Sequence, residues 1–277
     1  MGKGIPEYFA HDQYHISPQD VTRLILHCEP ETIHEKVIVT PCWNPEEFLT
    51  DAADTFRTIY EGNYFSTCAY ELTYRDQPIT LIRSGVGAPV TGDVVLALGC
   101  TPCKHLIFTG SFGGLTEDLS IGDLLTITES IAGEGYSSYL KEGNLSPNAF
   151  LKPASPDTGL NGILEEYAIS LAGENGVSLH KGRVFSSDTI VAQFFHLDEI
   201  RNKYDCVGIE METSAVFNCS KLVGISAAAL LLVSDVIPTG KSLFSGRTEE
   251  DRARYKSVRK SVLSRIILDT LCDERLE

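Results

Sequence analysis

The chain has 277 residues, 43% of them hydrophobic and 22% charged, and a formal net charge of −15. That length is enough to bury one large core or two small ones, and the mix is that of an ordinary globular protein. The acidic excess leaves no basic stripe for a polyanion and argues against a nucleic-acid partner, while a small anionic ligand held by a few local groups stays open. No apolar run is long enough to cross a membrane. The eight cysteines are scattered, and the Cys100/Cys103 pair has no companion pair at metal-binding spacing. Together with the lack of a signal-peptide pattern, this leads to an expectation of free thiols in a reducing, cytoplasmic compartment and of no metal or organic cofactor.

In chain order, residues 1–15 read as an arm without a period. Ser17-Pro18 reads as a helix cap and first turn, with Val21, Leu24, Ile25 and Cys28 following on one face. Lys36 to Thr40 is a strand. Asn44-Pro45-Glu46-Glu47 starts an expected helix that runs to about Tyr60 with Phe48, Ala52 and Phe56 inward. Segments 64–74 and 78–84 suggest an antiparallel pair joined across Arg75-Asp76-Gln77. Gly85-Val86-Gly87-Ala88-Pro89 leads into a helix ending near Gly99. His105 to Thr109 is a strand that opens into Gly110-Ser111-Phe112-Gly113-Gly114, and Leu124 to Thr128 is another. A polar loop holds Gly133 to Tyr136 and residues 144–156. A helix around Glu165 to Ala172 and a Ser187-Asp188-Thr189 turn follow. Thr248 to Leu271 reads as a charged amphipathic helix with Val258, Val262, Ile266 and Ile267 inward. With no repeat or composition break, the expected division is an arm and helix over 1–35 and one α/β catalytic domain over 36–277.

The stretch from Val207 to Asp235 organises the rest. It reads as strand, helix, strand, with Glu210-Met211-Glu212 after the first strand and Ser234-Asp235 after the second. Ligands of open α/β sheets bind outside the carboxyl ends of strands, where both acids would lie. A carboxylate offers two acceptor oxygens to a ribose cis-diol. The bland alternatives make Glu212 a first-turn residue favoured by the helix dipole and Asp235 a turn aspartate.

The sequence IEMETSA, followed about two dozen residues later by SD, resembles the purine and uridine nucleoside phosphorylase superfamily. That superfamily also contains the methylthioadenosine/S-adenosylhomocysteine nucleosidases and the AMP nucleosidases. The resemblance implies an α/β, single-domain three-layer fold with a central mixed twisted sheet flanked by helices, in a homo-oligomer (dimer, trimer or hexamer). It also implies that Glu212 holds the ribose hydroxyls with Met211 and Glu210 beside it, that Ser111, Phe112 and Gly113 lie under base and ribose, and that Asp235 protonates a purine leaving group. Ile190 stands where a base-stacking phenylalanine is usual, so Phe112 or Phe194 would supply the ring instead.

Phosphorylases of the superfamily grip phosphate with arginines, whose forked donors match a dianion. The positions resembling theirs read here as Phe108, Glu47 and, loosely, Phe65. Glu47 coincides with the water-activating glutamate of the nucleosidases, although an Asn44–Glu47 capping box explains it equally. The expected activity is therefore hydrolysis of a purine nucleoside or related nucleoside by a Glu47-activated water with Asp235 assisting the base. The alternatives are phosphorolysis with a rebuilt phosphate site using Lys241 or Arg247, which otherwise lie on the surface, and a non-catalytic nucleoside-binding protein.

Overall fold

The computed structural model describes residues 16–49, 52–61, 67–140, 145 and 149–276. The expected arm and Phe65 lie outside these described residues. Helix α1 (Pro18–Leu26) opens on a reciprocal capping box between Ser17 and Asp20, with Pro18 in its first turn. Val21, Ile25 and Cys28 pack against the core as expected, but Leu24 does not. Thr22 and Leu26 are fully buried and Leu24 is exposed. Thr22 tolerates burial because its hydroxyl donates to the Pro18 carbonyl at 2.7 Å.

Strand β1 (Lys36–Thr40) is followed by a single 3-10 turn at Pro45–Glu47, and then by strand β2 (Thr55–Glu61). The helix expected from Asn44 to Tyr60 is therefore absent. The run TFRTIY is rich in β-branched and aromatic residues and pairs along β3 (Cys68–Tyr74), which overrides the local helix start. Strands β3 and β4 (Gln77–Arg83) form the expected antiparallel pair, closed by Arg75 and Asp76, both at positive φ. Helix α2 (Ala88–Leu98), strand β5 (His105–Gly114), strand β6 (Leu124–Gly133), the short strand β7 (Pro153–Ala154), helix α3 (Thr158–Glu174) and strand β8 (Leu179–Ser187) follow. Beyond them come helix α4 (Leu197–Lys203), strand β9 (Cys206–Glu210), helix α5 (Thr213–Val223) and strand β10 (Ser226–Val236). The C-terminal helix runs as α6 (Glu249–Val258), a π-helical turn at Arg259–Leu263, and α7 (Ser264–Leu271).

Among the described residues, ten strands form one mixed sheet. Strands β4, β1, β5 and β10 lie side by side and parallel, with β3 and β2 extending the β4 edge as a meander. The sheet then curls through β6, β8 and β9 until β9 meets Gly113 and Gly114 at the end of β5. Neighbouring residues of the central strands point to opposite faces. Val37, Val39, Leu106, Phe108, Ala227 and Ala229 face a core shared with Leu26, Val94 and Val216 of helices α1, α2 and α5. Ile38, Ile107, Ala228 and Leu230 face a second core built with Leu160 and Leu164 of α3 and Ile266 and Ile267 of α7. Burial on both faces is what an uninterrupted apolar strand such as Ser226–Val233 signals. Val258, Val262, Ile266 and Ile267 are buried as the amphipathic pattern requires, and all eight cysteines are free thiols. Among the described residues no helix is long and apolar enough to cross a membrane.

Candidate active site

The carboxyl ends of β5, β9 and β10 open onto a cleft of about 410 Å³. Its walls include Glu47, Ser111, Phe112, Gly113, Ile190, Glu210, Met211, Glu212, Asp235 and Arg247, so apart from the alternative ring Phe194 the structure gathers all but one of the candidate catalytic and binding residues. The exception is Lys241. It is not among the cleft residues, and its ammonium is paired with Asp251 at 2.8 Å.

Glu210 and Glu212 have different jobs. Glu210 accepts from the N–H groups of Glu212 and Thr213, both at 2.7 Å, and from the Ser186 hydroxyl, so it caps α5 and has little acceptor capacity left for a sugar. Burial raises its proton affinity, and those hydrogen bonds oppose the rise. Glu212 starts the helix without capping it. Its Oε1 instead accepts the Gly87 N–H at 2.6 Å, from a loop whose φ of 106° suits glycine. Burial pushes the Glu212 carboxyl up to about 8, with the charge of Glu210 adding to the rise and the Gly87 N–H opposing it.

Asp235 is 4% exposed. Burial raises its proton affinity too, against the Ser234 hydrogen bond and the charge of Arg247. Oδ1 lies 2.5 Å from Ser234 Oγ, which is also 3.1 Å from the Phe112 carbonyl. A hydroxyl has one proton and a carbonyl can only accept. Ser234 is thus the donor to both acceptors, sharing its proton between Asp235 Oδ1 and the Phe112 carbonyl and leaving Oδ2 as the oxygen that can carry a proton.

Phe112 lies in the cleft wall, but its ring is no base platform. It is 1% exposed and packs over Gly208, where a Cβ would fall 2.3 Å from the ring. Phe194 sits outside the cleft lining with its ring 6.1 Å from Phe244. Trp43 and Tyr255 line the cleft as well, the latter bonded to Ser111 Oγ at 2.5 Å.

Phe108 is buried in the core at 1% exposure and offers nothing to an anion. Glu47 does make the expected cap contact, accepting the Asn44 N–H on Oε2 at 2.8 Å, yet it also faces the cleft. Beside it lies a residue that the sequence reading passed over. Arg259, from the π turn of the C-terminal helix, is buried in the cleft wall. Its Nε donates to the Glu47 carbonyl at 3.0 Å and its Nη2 to Oε1 at 3.4 Å. Among the described residues no group of three or more His, Cys, Asp or Glu side chains could hold a metal ion.

A curled mixed sheet flanked by helices, with acids at the ends of β9 and β10, matches the nucleoside phosphorylase folds. Residues 40–267 match the family model of the phosphorylase superfamily, and the chain belongs to that superfamily. The DeoD-type purine nucleoside phosphorylase of Mannheimia succiniciproducens is 24% identical over 229 residues, covering 80% of this chain and 86% of its own length. Among solved structures, the uridine phosphorylase of Vibrio fischeri superposes with a TM-score of 0.70 at 22% identity, over 87% of this chain and 92% of its own. The 5′-methylthioadenosine/S-adenosylhomocysteine nucleosidase of Campylobacter jejuni does so with a TM-score of 0.65 at 19% identity, over 85% of this chain and 98% of its own.

Proposed function

We propose that the protein cleaves the N-glycosidic bond of a purine nucleoside, with water as the nucleophile. The observation that carries the reading is Asp235. It is a buried acid with raised proton affinity, and Ser234 occupies Oδ1 while Oδ2 remains for a base. A purine anion is a poor leaving group until it is protonated, and a buried acid with raised proton affinity and a free Oδ2 is suited to that need. Glu212, in the same cleft, presents the carboxyl expected to grip the ribose hydroxyls.

In this reading Glu47 takes a proton from water as the oxygen bonds to C1′. The C1′–N bond breaks through an oxocarbenium-like transition state, its electron pair goes to the base, and Asp235 supplies the proton that neutralises it. The burial of Phe108 in the core and the acid at residue 47 support water over phosphate, because a phosphate dianion beside Glu47 meets repulsion. Phosphorolysis is the second reading, favoured by the Arg259 guanidinium at that same end and by the phosphorylase names of the relatives.

The deciding assay incubates inosine, adenosine, guanosine, methylthioadenosine and AMP with the enzyme in phosphate-free buffer, adds millimolar phosphate, and identifies the sugar. Free or 5′-substituted ribose at a rate indifferent to phosphate is the expected result. A sugar 1-phosphate formed at a rate that rises with phosphate removes the hydrolytic assignment.

A further inference from the structure

Arg259 is held more tightly than a surface arginine. Two hydrogen bonds run to Glu47, one to its carbonyl and one to its carboxylate. The guanidinium carbon also lies 5.3 Å from the Trp43 ring centroid and 5.4 Å from that of Tyr255. Tyr255 stands one helical turn before Arg259 and is itself anchored to Ser111. Two bonds and two ring contacts fix a side chain that would otherwise be among the most mobile, and they fix it against the residue assigned to activate water. The π turn beginning at Arg259 is the kind of helix irregularity that re-aims a side chain at a functional site.

Glu47 itself rests on little. It ends one 3-10 turn, and its Oε2 is tied only to the Asn44 N–H. Without a second tether the carboxylate could rotate about its side-chain bonds and swing out of the cleft. A carboxylate has about four acceptor positions, so one bond from Asn44 and one from Arg259 leave room for a water.

We infer that Arg259 is a positioning residue for Glu47, fixing the carboxylate at the nucleophile end of the cleft through its forked bonds to the Glu47 carbonyl and Oε1. The inference rests on the hydrolytic reading. It goes beyond it by assigning this arginine to orienting the base and not to holding an anion.

The test compares full-length wild-type protein with Arg259→Met, which keeps an apolar stem between the two rings, and Arg259→Lys, which keeps the charge and loses the fork. Thermal melts first establish that each variant is folded. Misplacing a reacting group by about an ångström costs on the order of 10²-fold. In both variants kcat should therefore fall roughly 10–100-fold while KM for the nucleoside stays near wild type, and millimolar guanidinium should partly restore Arg259→Met. A folded Arg259→Met with wild-type kcat overturns the inference and leaves hydrolysis standing. A wild type that makes a sugar 1-phosphate, with the variants' loss seen as a higher KM for inorganic phosphate, overturns both, because the guanidinium then binds the nucleophile.

Discussion

Replacing Glu212 by glutamine should destroy activity and at the same time stabilise the free protein, increasingly so as pH rises. The carboxyl is 4% exposed, and burial lifts it from its ordinary value of 4.5 to about 8. The folded state therefore keeps a proton that the unfolded chain releases above about pH 4.5. Below that pH the folded and unfolded states hold the proton equally. As pH climbs toward 8, deprotonation favours the unfolded chain, and beyond 8 the loss levels off because both states are ionised. Each unit of displacement is worth about 1.4 kcal/mol. Part of the rise comes from Glu210, which relaxes when its neighbour is neutral, so the net effect at pH 7 is about 2–3 kcal/mol. For a chain of this size that is roughly 5–10 °C in melting temperature. Glutamine keeps an oxygen for the Gly87 N–H and carries no charge to desolvate. The measurement is the melting-temperature difference between Glu212→Gln and wild type from about pH 5 to about pH 9. It should open with pH and then plateau. A difference that is flat across this range, or larger at the acid end, refutes the account of Glu212 as a carboxyl buried against its own charge.

Asp235→Asn should cost on the order of 10²–10⁴ in kcat on purine nucleosides and far less on a riboside whose leaving group needs no proton, and an equal loss on both would take Asp235 out of acid catalysis. Gly113→Ala places a Cβ 3.2 Å from Asp235 Oδ2, a contact tight enough to displace the oxygen by a few tenths of an ångström. Turnover should fall by about tenfold in a protein that still melts cooperatively, and unchanged turnover would show that Oδ2 is not the oxygen facing the base.

Much of the fold could be read from one dimension because its central strands are buried on both faces and its turns carry their own chemistry. The strand-helix-strand unit from Cys206 to Val236 lies where the apolar runs put it, and Glu212 and Asp235 follow at the ends of its strands. What escaped depended on partners far away in sequence. The segment Thr55–Glu61 follows a good helix start, and only its pairing with Cys68–Tyr74 makes it a strand. Phe112 looked free to stack on a base because nothing local shows that Gly208, across the sheet, leaves a hollow for its ring. Arg259 sits in a helix whose charges read as a solvated face, and its burial comes from Trp43 and the Glu47 turn, more than 200 residues earlier. One signal was present. Tyr255 and Arg259 are four apart, so an aromatic and a cation share a helix face that points inward at Val258 and Val262.

The two ends of the cleft are built from different kinds of structure, and this bears on how the chemistry can vary within the fold. Glu212 and Asp235 are tied to the closed part of the sheet, where β5, β10, β6, β8 and β9 pair in a ring. Shifting either acid would mean shifting a strand register, and a one-residue slip turns every side chain of a strand to the wrong face. The two acids proposed to meet sugar and base are thus locked to the fold. Glu47 and Arg259 stand on a single 3-10 turn and on a bulge in the last helix, neither of which pairs with the sheet. Substitutions there leave every strand in place. In the proposed reading, a change of nucleophile therefore needs only a few side chains on a turn and a helix bulge, and no strand register has to move for it.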